Sequence, residues 1–177
     1  WDGESIVGNL DDNYTVPNDK VLFVMSGIPS VNGYQVSTNP STAPIFGPSL
    51  TLQKTQYSPS QFSGLLLDYN SNFEPITGTT PFSGSKPISW GNRSAIEFVI
   101  PRDKYLVITS FAGDLFYEEN LNIKHVDNGA SRTCIFKGKE NETKIIIRSN
   151  EDINGSFTGY LTDQESLANL GGGSSPS

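Results

Sequence analysis

Two stretches of this 177-residue chain say nearly the same thing. Val16–Ser26 reads VPNDKVLFVMS and Ile100–Ser110 reads IPRDKYLVITS. Pro17 answers to Pro101, Asp19-Lys20 to Asp103-Lys104, Leu22 to Leu106, Val24 to Ile108 and Ser26 to Ser110, all 84 positions apart. A second echo, F-x-G-x-L-x-D, appears as FSGLLLD at Phe62–Asp68 and FTGYLTD at Phe157–Asp163, 95 positions apart. The larger second offset means that the second unit carries extra residues inside it. An internal repeat of this kind is one supersecondary plan used twice, and the rest of the chain is read against it.

The plan is made of strands. No window holds a helical period over ten residues, and Ser166–Leu170 is long enough for one turn at most. Seventeen glycines and eleven prolines punctuate short apolar runs, as in an all-β chain. Val21–Met25 is apolar at every position and predicts a central strand covered on both sides. Ser30–Gly33 reads as a turn, Thr38–Ser49 as a surface loop with three prolines, and Leu50–Lys54 as a half-buried strand. The fold expected is all-β, a tandem duplication of two small β-sandwich or jelly-roll-like units. Residues 1–13 form a lead-in that can add an edge strand, 14–70 the first unit, and 71–93 a packed linker. Residues 94–165 form the second unit, and 166–177, ending GGGSSPS, a flexible tail.

Composition excludes several functions. Twelve basic against nineteen acidic residues leave a net charge of −7, which argues against a nucleic-acid groove or an anionic membrane surface. No apolar stretch approaches the roughly 20 residues of a membrane-spanning helix. No signal peptide opens the sequence, and a chain beginning at Trp1 is read as a processed form or an excised fragment. Cys134 is the only cysteine, so no internal disulfide and no multi-cysteine metal site can form. His125 is the only histidine, which rules out a multi-imidazole metal centre within one chain.

Chemistry-bearing motifs are few. There is no G-x-S-x-G elbow and no glycine-rich phosphate loop. Asp68 and Asp163 close matched strands, and their recurrence marks them as scaffold acceptors rather than an acid-base pair. Gly64 and Gly159 mark a bulge or a close backbone approach. Oxygen-donor clusters at Asp11-Asp12-Asn13, Asp68–Asn72 and Glu118-Glu119-Asn120 are conceivable calcium sites, but none has EF-hand spacing and turn composition explains all three. No cofactor, metal site or catalytic residue is therefore assigned. The candidate ligand-binding residues are two aromatics in loop context, Phe46 and Tyr57, whose rings suit stacking on sugars or docking a protein. Phe82 and Trp90 are read as capping the ends of the two units or filling the interface between them. Asn13, Asn92, Asn141 and Asn154 begin N-x-S/T sequons.

The combined pattern VPNDKVLFVMS, FSGLLLDYNSNFEPI, IPRDKYLVITS and FTGYLTD with its Gly/Ser tail resembles tandem domains of uncharacterised secreted surface proteins of Bacteroidetes-type bacteria. Similar small β-modules occur in phage fibres and spikes. The resemblance implies tandem β-domains in an exterior setting and supplies no catalytic residues. The expected role is a non-enzymatic extracellular or cell-surface module for binding, adhesion or structural assembly. Its partners would be a glycan or protein receptor, or sister subunits of an assembly. The alternatives are a trimeric phage or virus spike domain on a virion surface, and a carbohydrate-active enzyme whose carboxylates, such as Glu74, Glu97 or Glu118, converge only in the fold.

Overall fold

A computed structural model describes residues 3–31, 33–35, 43–56, 59–70, 73–78, 85–128, 134–149 and 155–165. Its first half contains β1 (Glu4–Asn9), β2 (Tyr14–Thr15), β3 (Lys20–Ser26), β4 (Pro29–Val31), β5 (Tyr34–Gln35), β6 (Ile45–Phe46), β7 (Thr51–Lys54) and β8 (Gln61–Asp68). They form two four-stranded antiparallel sheets, ordered β1-β8-β3-β6 and β2-β7-β4-β5. The second half contains β9 (Phe73–Gly78), β10 (Ser85–Trp90), β11 (Arg93–Val99), β12 (Lys104–Ala112), β13 (Asp114–Glu119), β14 (Asn122–Asn128), β15 (Cys134–Lys137), β16 (Thr143–Arg148) and β17 (Ser156–Asp163). Its sheets are ordered β9-β17-β12-β15 and β10-β11-β16-β13-β14. The chain is all-β, built from small antiparallel sheets.

Period-two burial explains the strands. Along β8, Phe62, Gly64 and Leu66 are buried while their neighbours are half-buried or exposed. Phe62 and Leu66 meet Leu22, Val24, Phe46 and Leu52 in the first core. In the second half Ile96, Phe98, Leu106, Ile108, Leu115, Ile145, Ile147 and Phe157 fill the space between its two sheets. Cys134 packs half-buried against that core.

The residues that echo in sequence hold equal places in the two halves. Lys20 lies opposite Asp68 as Lys104 lies opposite Asp163, and each ammonium sits 2.5 Å from its carboxylate. Val24 lies opposite Gly64 as Ile108 lies opposite Gly159, and each pairing is followed by a bulge, before Ser26 and Ser110. The turn ahead of each strand is closed by the same bond, the Lys20 and Lys104 amides each donating to the proline carbonyl three residues back at 3.1 Å. Gly27 and Gly113, which follow β3 and β12, have φ of 101° and 102°. Leu22 opposite Phe46 is matched by Leu106 opposite Phe136.

Several expectations are corrected. The segment 71–93 is not a linker: it contains β9, which pairs with β17, and β10, which pairs with β11. Its Gly, Ser, Thr and Pro content resembles a loop, yet edge strands tolerate such residues, Pro75 included. Glu74-x-Ile76-x-Gly78 in β9 matches Glu4-x-Ile6-x-Gly8 in β1, which supplies the edge strand expected of the lead-in. Residues read as turn and loop supply β4 and β6. In β3, Met25 at the bulge is 63% exposed, so the strand is not covered on both sides throughout. Among the described residues, Asp68 and Asp163 accept from the Lys20 and Lys104 ammoniums, where backbone amides were expected. Residues 166–177 lie outside the described residues.

The halves touch along β6, β9 and β17. The Ile45 amide donates to Thr158 Oγ1 at 3.2 Å in a buried contact. Phe73 lies 6.2 Å from Phe23 and 4.0 Å from Tyr160 between ring centres. Burial pushes the Tyr160 hydroxyl up from its ordinary pKa.

Gly64 and Gly159 are where the backbones come closest. A Cβ on Gly159 would stand 2.1 Å from the Val107 carbonyl oxygen, and one on Gly64 2.5 Å from that of Phe23. Either Gly→Ala change forces two strands apart, and each is expected to lower stability by about 2–4 kcal/mol in urea unfolding. An unchanged midpoint for both would refute this close approach.

Candidate functional site

The sheets β2-β7-β4-β5 and β10-β11-β16-β13-β14 occupy corresponding places. Tyr14 opposite Leu52 in the first matches Phe98 opposite Ile145 in the second. Their inner faces fill the cores, and their outer faces differ sharply. Where the second displays Lys144, Ile146 and Phe116, the first carries Thr51, Gln53 and Ser30. The second sheet also has β10, for which the first has no counterpart among the described residues.

Register lays the second outer face down in rows. Trp90 lies opposite Arg93, and Ile88, Ala95, Arg148 and Asp114 stand abreast. The next row holds Glu97, Ile146, Phe116 and His125, and the last Val99, Lys144, Glu118 and Ile123. Ala95 and Ile146 are 5% and 4% exposed, a floor beneath longer side chains.

Over one end of this floor a cation packs against a pair of touching rings. The Arg148 guanidinium carbon is 5.3 Å from the centre of the Trp90 ring and 5.0 Å from that of Phe116. Trp90 and Phe116 meet edge to face at 4.6 Å, and the His125 ring lies 4.8 Å from Phe116. Arg148 Nη2 donates to Asp114 Oδ2 at 3.1 Å, and Arg93 Nη1 stands 3.9 Å from the same oxygen. Arg148 Nε is shut from solvent and has no hydrogen-bond acceptor among the described residues. The guanidinium as a whole is held by the ring faces and by Asp114.

The other end is acidic. Lys144 Nζ lies 3.2 Å from Glu97 Oε2, 3.1 Å from Glu118 Oε2 and 4.0 Å from Glu142 Oε1. Burial alone would lower the pKa of this ammonium, but the bonds and field of Glu118 and Glu97 outweigh it and hold the value above the ordinary lysine range. A cleft of about 230 Å³ adjoins, lined by Glu118, Asn120, Leu121, Asn141, Glu142 and Lys144. Asn120 and Leu121 turn the β13–β14 hairpin with φ of 52° and 63°, and Leu121 is 90% exposed. Positive φ at leucine is disfavoured, so the tip holds a small store of strain.

The candidate residues fare differently. Phe46 is fully buried in the first core, opposite Leu22, and has no open face for a ligand. Its Ile-Phe pair recurs as Ile135-Phe136 in the matching strand, a repeat that could have marked it as scaffold. Tyr57 and Phe82 lie outside the described residues. Trp90 is on the decorated outer face rather than between the halves, a role that its loop-like neighbours concealed. Of the three carboxylates named for an enzyme, Glu97 and Glu118 converge on Lys144, while Glu74 sits on β9 opposite Leu161.

The calcium candidates are tied to cations or turns. Asp11 accepts from Lys54 Nζ and Ser60 Oγ, each at 3.0 Å, which holds its carboxyl below the usual range. Lys139 Nζ lies 3.0 Å from both Glu119 oxygens, and that bond holds Glu119 below its usual range too. Asp68 pairs with Lys20, and residues 71 and 72 lie outside the described residues. Among the described residues no group of three or more His, Cys, Asp or Glu side chains is placed to hold a metal. No protein-family model matches the chain, and no curated protein matches its sequence.

The Lys144 cluster yields a measurable consequence. Because its folded pKa is raised, its stabilisation is complete below the ordinary lysine pKa of about 10.4 and is lost as pH rises through the higher folded value. Lys144→Met leaves Glu97 and Glu118 facing each other uncompensated. It is expected to destabilise by about 1–3 kcal/mol at pH 7. The deficit should shrink as pH rises through the raised Lys144 pKa, above the ordinary lysine range, where wild type loses the same contribution. Thermal unfolding across that range checks it, and a deficit independent of pH would contradict the ionic account.

Proposed function

We propose that the chain is a non-enzymatic binding module of an extracellular or cell-surface assembly, built as two jelly-roll units in tandem. The unit limits proposed are 4–68 and 73–163. The strand order supports this reading. In each half the strand that opens the plan lies beside the one that closes it, and the two sheets alternate strands as two nested Greek keys do. Strand β10 is then an addition to the second unit.

One observation carries the functional part: where the second outer face bears Lys144, Ile146 and Phe116 the first carries Thr51, Gln53 and Ser30, and Trp90 stands on a strand with no counterpart among the described residues of the first half. A scaffold requirement would act on both halves alike, as it does at the Lys-Asp pairs and Gly64/Gly159. An aromatic and cationic cluster that, among the described residues, only the second outer face bears favours contact with something outside the chain. Trp and Arg are also the residue types that dominate binding energy at interfaces. The proposed partners are a glycan or a protein receptor meeting the face that contains Trp90, Phe116, Arg93 and Arg148. The exterior setting rests on the sequence resemblance and on the acidic, Ser/Thr/Asn-rich composition.

The convergence of Glu97 and Glu118 favours a second reading, a carbohydrate-active enzyme. Their oxygens are no farther apart than two lysine contacts of 3.2 and 3.1 Å laid end to end, which reaches the lower part of the roughly 5–10 Å span that paired-carboxylate hydrolysis uses. Lys144 fills the space between them, where a sugar oxygen would have to lie, so binding remains the reading argued here.

Trp90→Ala, with its unfolding temperature little changed, is expected to abolish retention on a panel of immobilised glycans and candidate receptors that hold the wild type. Retention equal to wild type would remove this face from the reading. Light scattering is expected to give a mass near 19.3 kDa, that of one chain. A stable trimer would favour the spike alternative, and release of reducing sugar that Glu118→Gln abolishes would favour the enzyme.

A further inference from the structure

We infer that copies of this chain associate head to tail, β15 of one copy lying on β1 and β8 of the next. The repeat carries the inference, because each chain already makes that contact once within itself. Register shows which strands correspond: β1 with β9, β8 with β17, and β6 with β15. Within the chain, β6 of the first half packs on β9 and β17 of the second. By the same plan β15 repeats the piece that docks, and β1 with β8 repeats the seat. Among the described residues no comparable packing joins β15 to β1 or β8 in one chain, so the contact runs one way. A one-way contact leaves a docking piece at one end of the molecule and a seat at the other. A second copy of this chain fits both.

Burial marks the two surfaces. In the contact within the chain, Ile45 is buried and donates its amide to Thr158 Oγ1, and Thr77, opposite Thr158, is buried too. Ile135 stands opposite Val107 as Ile45 stands opposite Phe23, yet it is 56% exposed. Val7 stands opposite Ser63 as Thr77 stands opposite Thr158, and it is 75% exposed. Laying β15 on β8 as β6 lies on β17 brings Ile135 over Val7 and its amide to Ser63 Oγ. That oxygen shares a bond with Ser26 Oγ and has a further lone pair to accept one more. The contact between copies is weaker than the one within. Phe73, whose ring joins Phe23 to Tyr160 across the halves, is replaced by Gly3 in β1. The halves of one chain also meet at an effective concentration of about millimolar, which free copies lack. One chain therefore prevails in dilute solution. Because the contact is heterologous, association adds copies to an open row or a ring and does not stop at a pair.

The test is static light scattering of the whole chain from about 10 µM to about 2 mM, a range that brackets that effective concentration. The weight-average mass is expected to rise with concentration and to pass that of two chains. Val7→Lys and Ile135→Lys each put an ammonium into the contact at a position exposed in the single chain. Each should weaken association at least tenfold with unfolding temperature unchanged. Mixed together, the two variants have one intact contact between them, so they are expected to form pairs and nothing larger. A wild-type mass of one chain throughout, either variant associating as wild type does, or a mixture that fails to pair overturns the inference. A wild-type mass that levels off at two chains marks a symmetric dimer and overturns it as well.

Discussion

Each half depends on one antiparallel strand pair, β3 with β8 and β12 with β17. The two strands can approach closely only because a glycine stands where any side chain would strike the opposite carbonyl. A lysine and an aspartate clamp one end of the pair, and a bulge bends the other end. The remaining strands of each inner sheet are added to this pair, and the apolar positions of the pair point into the core. The clamp is half-exposed and contributes modestly. The close approach and the core behind it do most to hold the fold, since core burial outweighs surface ion pairs by a wide margin.

This pair was legible in the sequence because it is the part that repeats. Lys20, Val24, Gly64 and Asp68 were matched in advance to Lys104, Ile108, Gly159 and Asp163, and they occupy equal register positions. Of the edge strands, β6, β9 and β10 were not legible. In β9 the run Phe73–Gly78 contains a proline and a glycine and lies between loop-like residues. Only its pairing with β17 gives it a strand's hydrogen bonds. The two-residue β6 is too short to show any period, and its burial comes from the second half as well as its own, through Ile45 against Thr158. Short edges of this kind are set by tertiary contact rather than local pattern.

The candidate site was not legible in the sequence. Trp90, Phe116, His125 and Arg148 are far apart in sequence, and only strand register brings them abreast. Phe46 was singled out for its loop-like surroundings, whereas the structure buries it. A phenylalanine flanked by prolines carries the same composition whether it caps a loop or fills a core. What distinguishes the two outer faces is a difference between corresponding positions, visible once the pairing of β7 with β2 and β4, and of β16 with β11 and β13, gives the correspondence. On the proposed reading the inner strand pairs are common scaffold, and the second outer face is free to specialise.

That division is tested most directly by hydrogen exchange of the Trp90→Ala, Arg93→Gln double variant against wild type. If the face is a working surface set on an independent scaffold, amides of β10 and the start of β11 will exchange faster, while those of β3, β8, β12 and β17 keep their protection. If exchange quickens through β12 and β17 as well, the ring and guanidinium cluster is part of what holds the second half together, and the separation of scaffold from binding face is wrong.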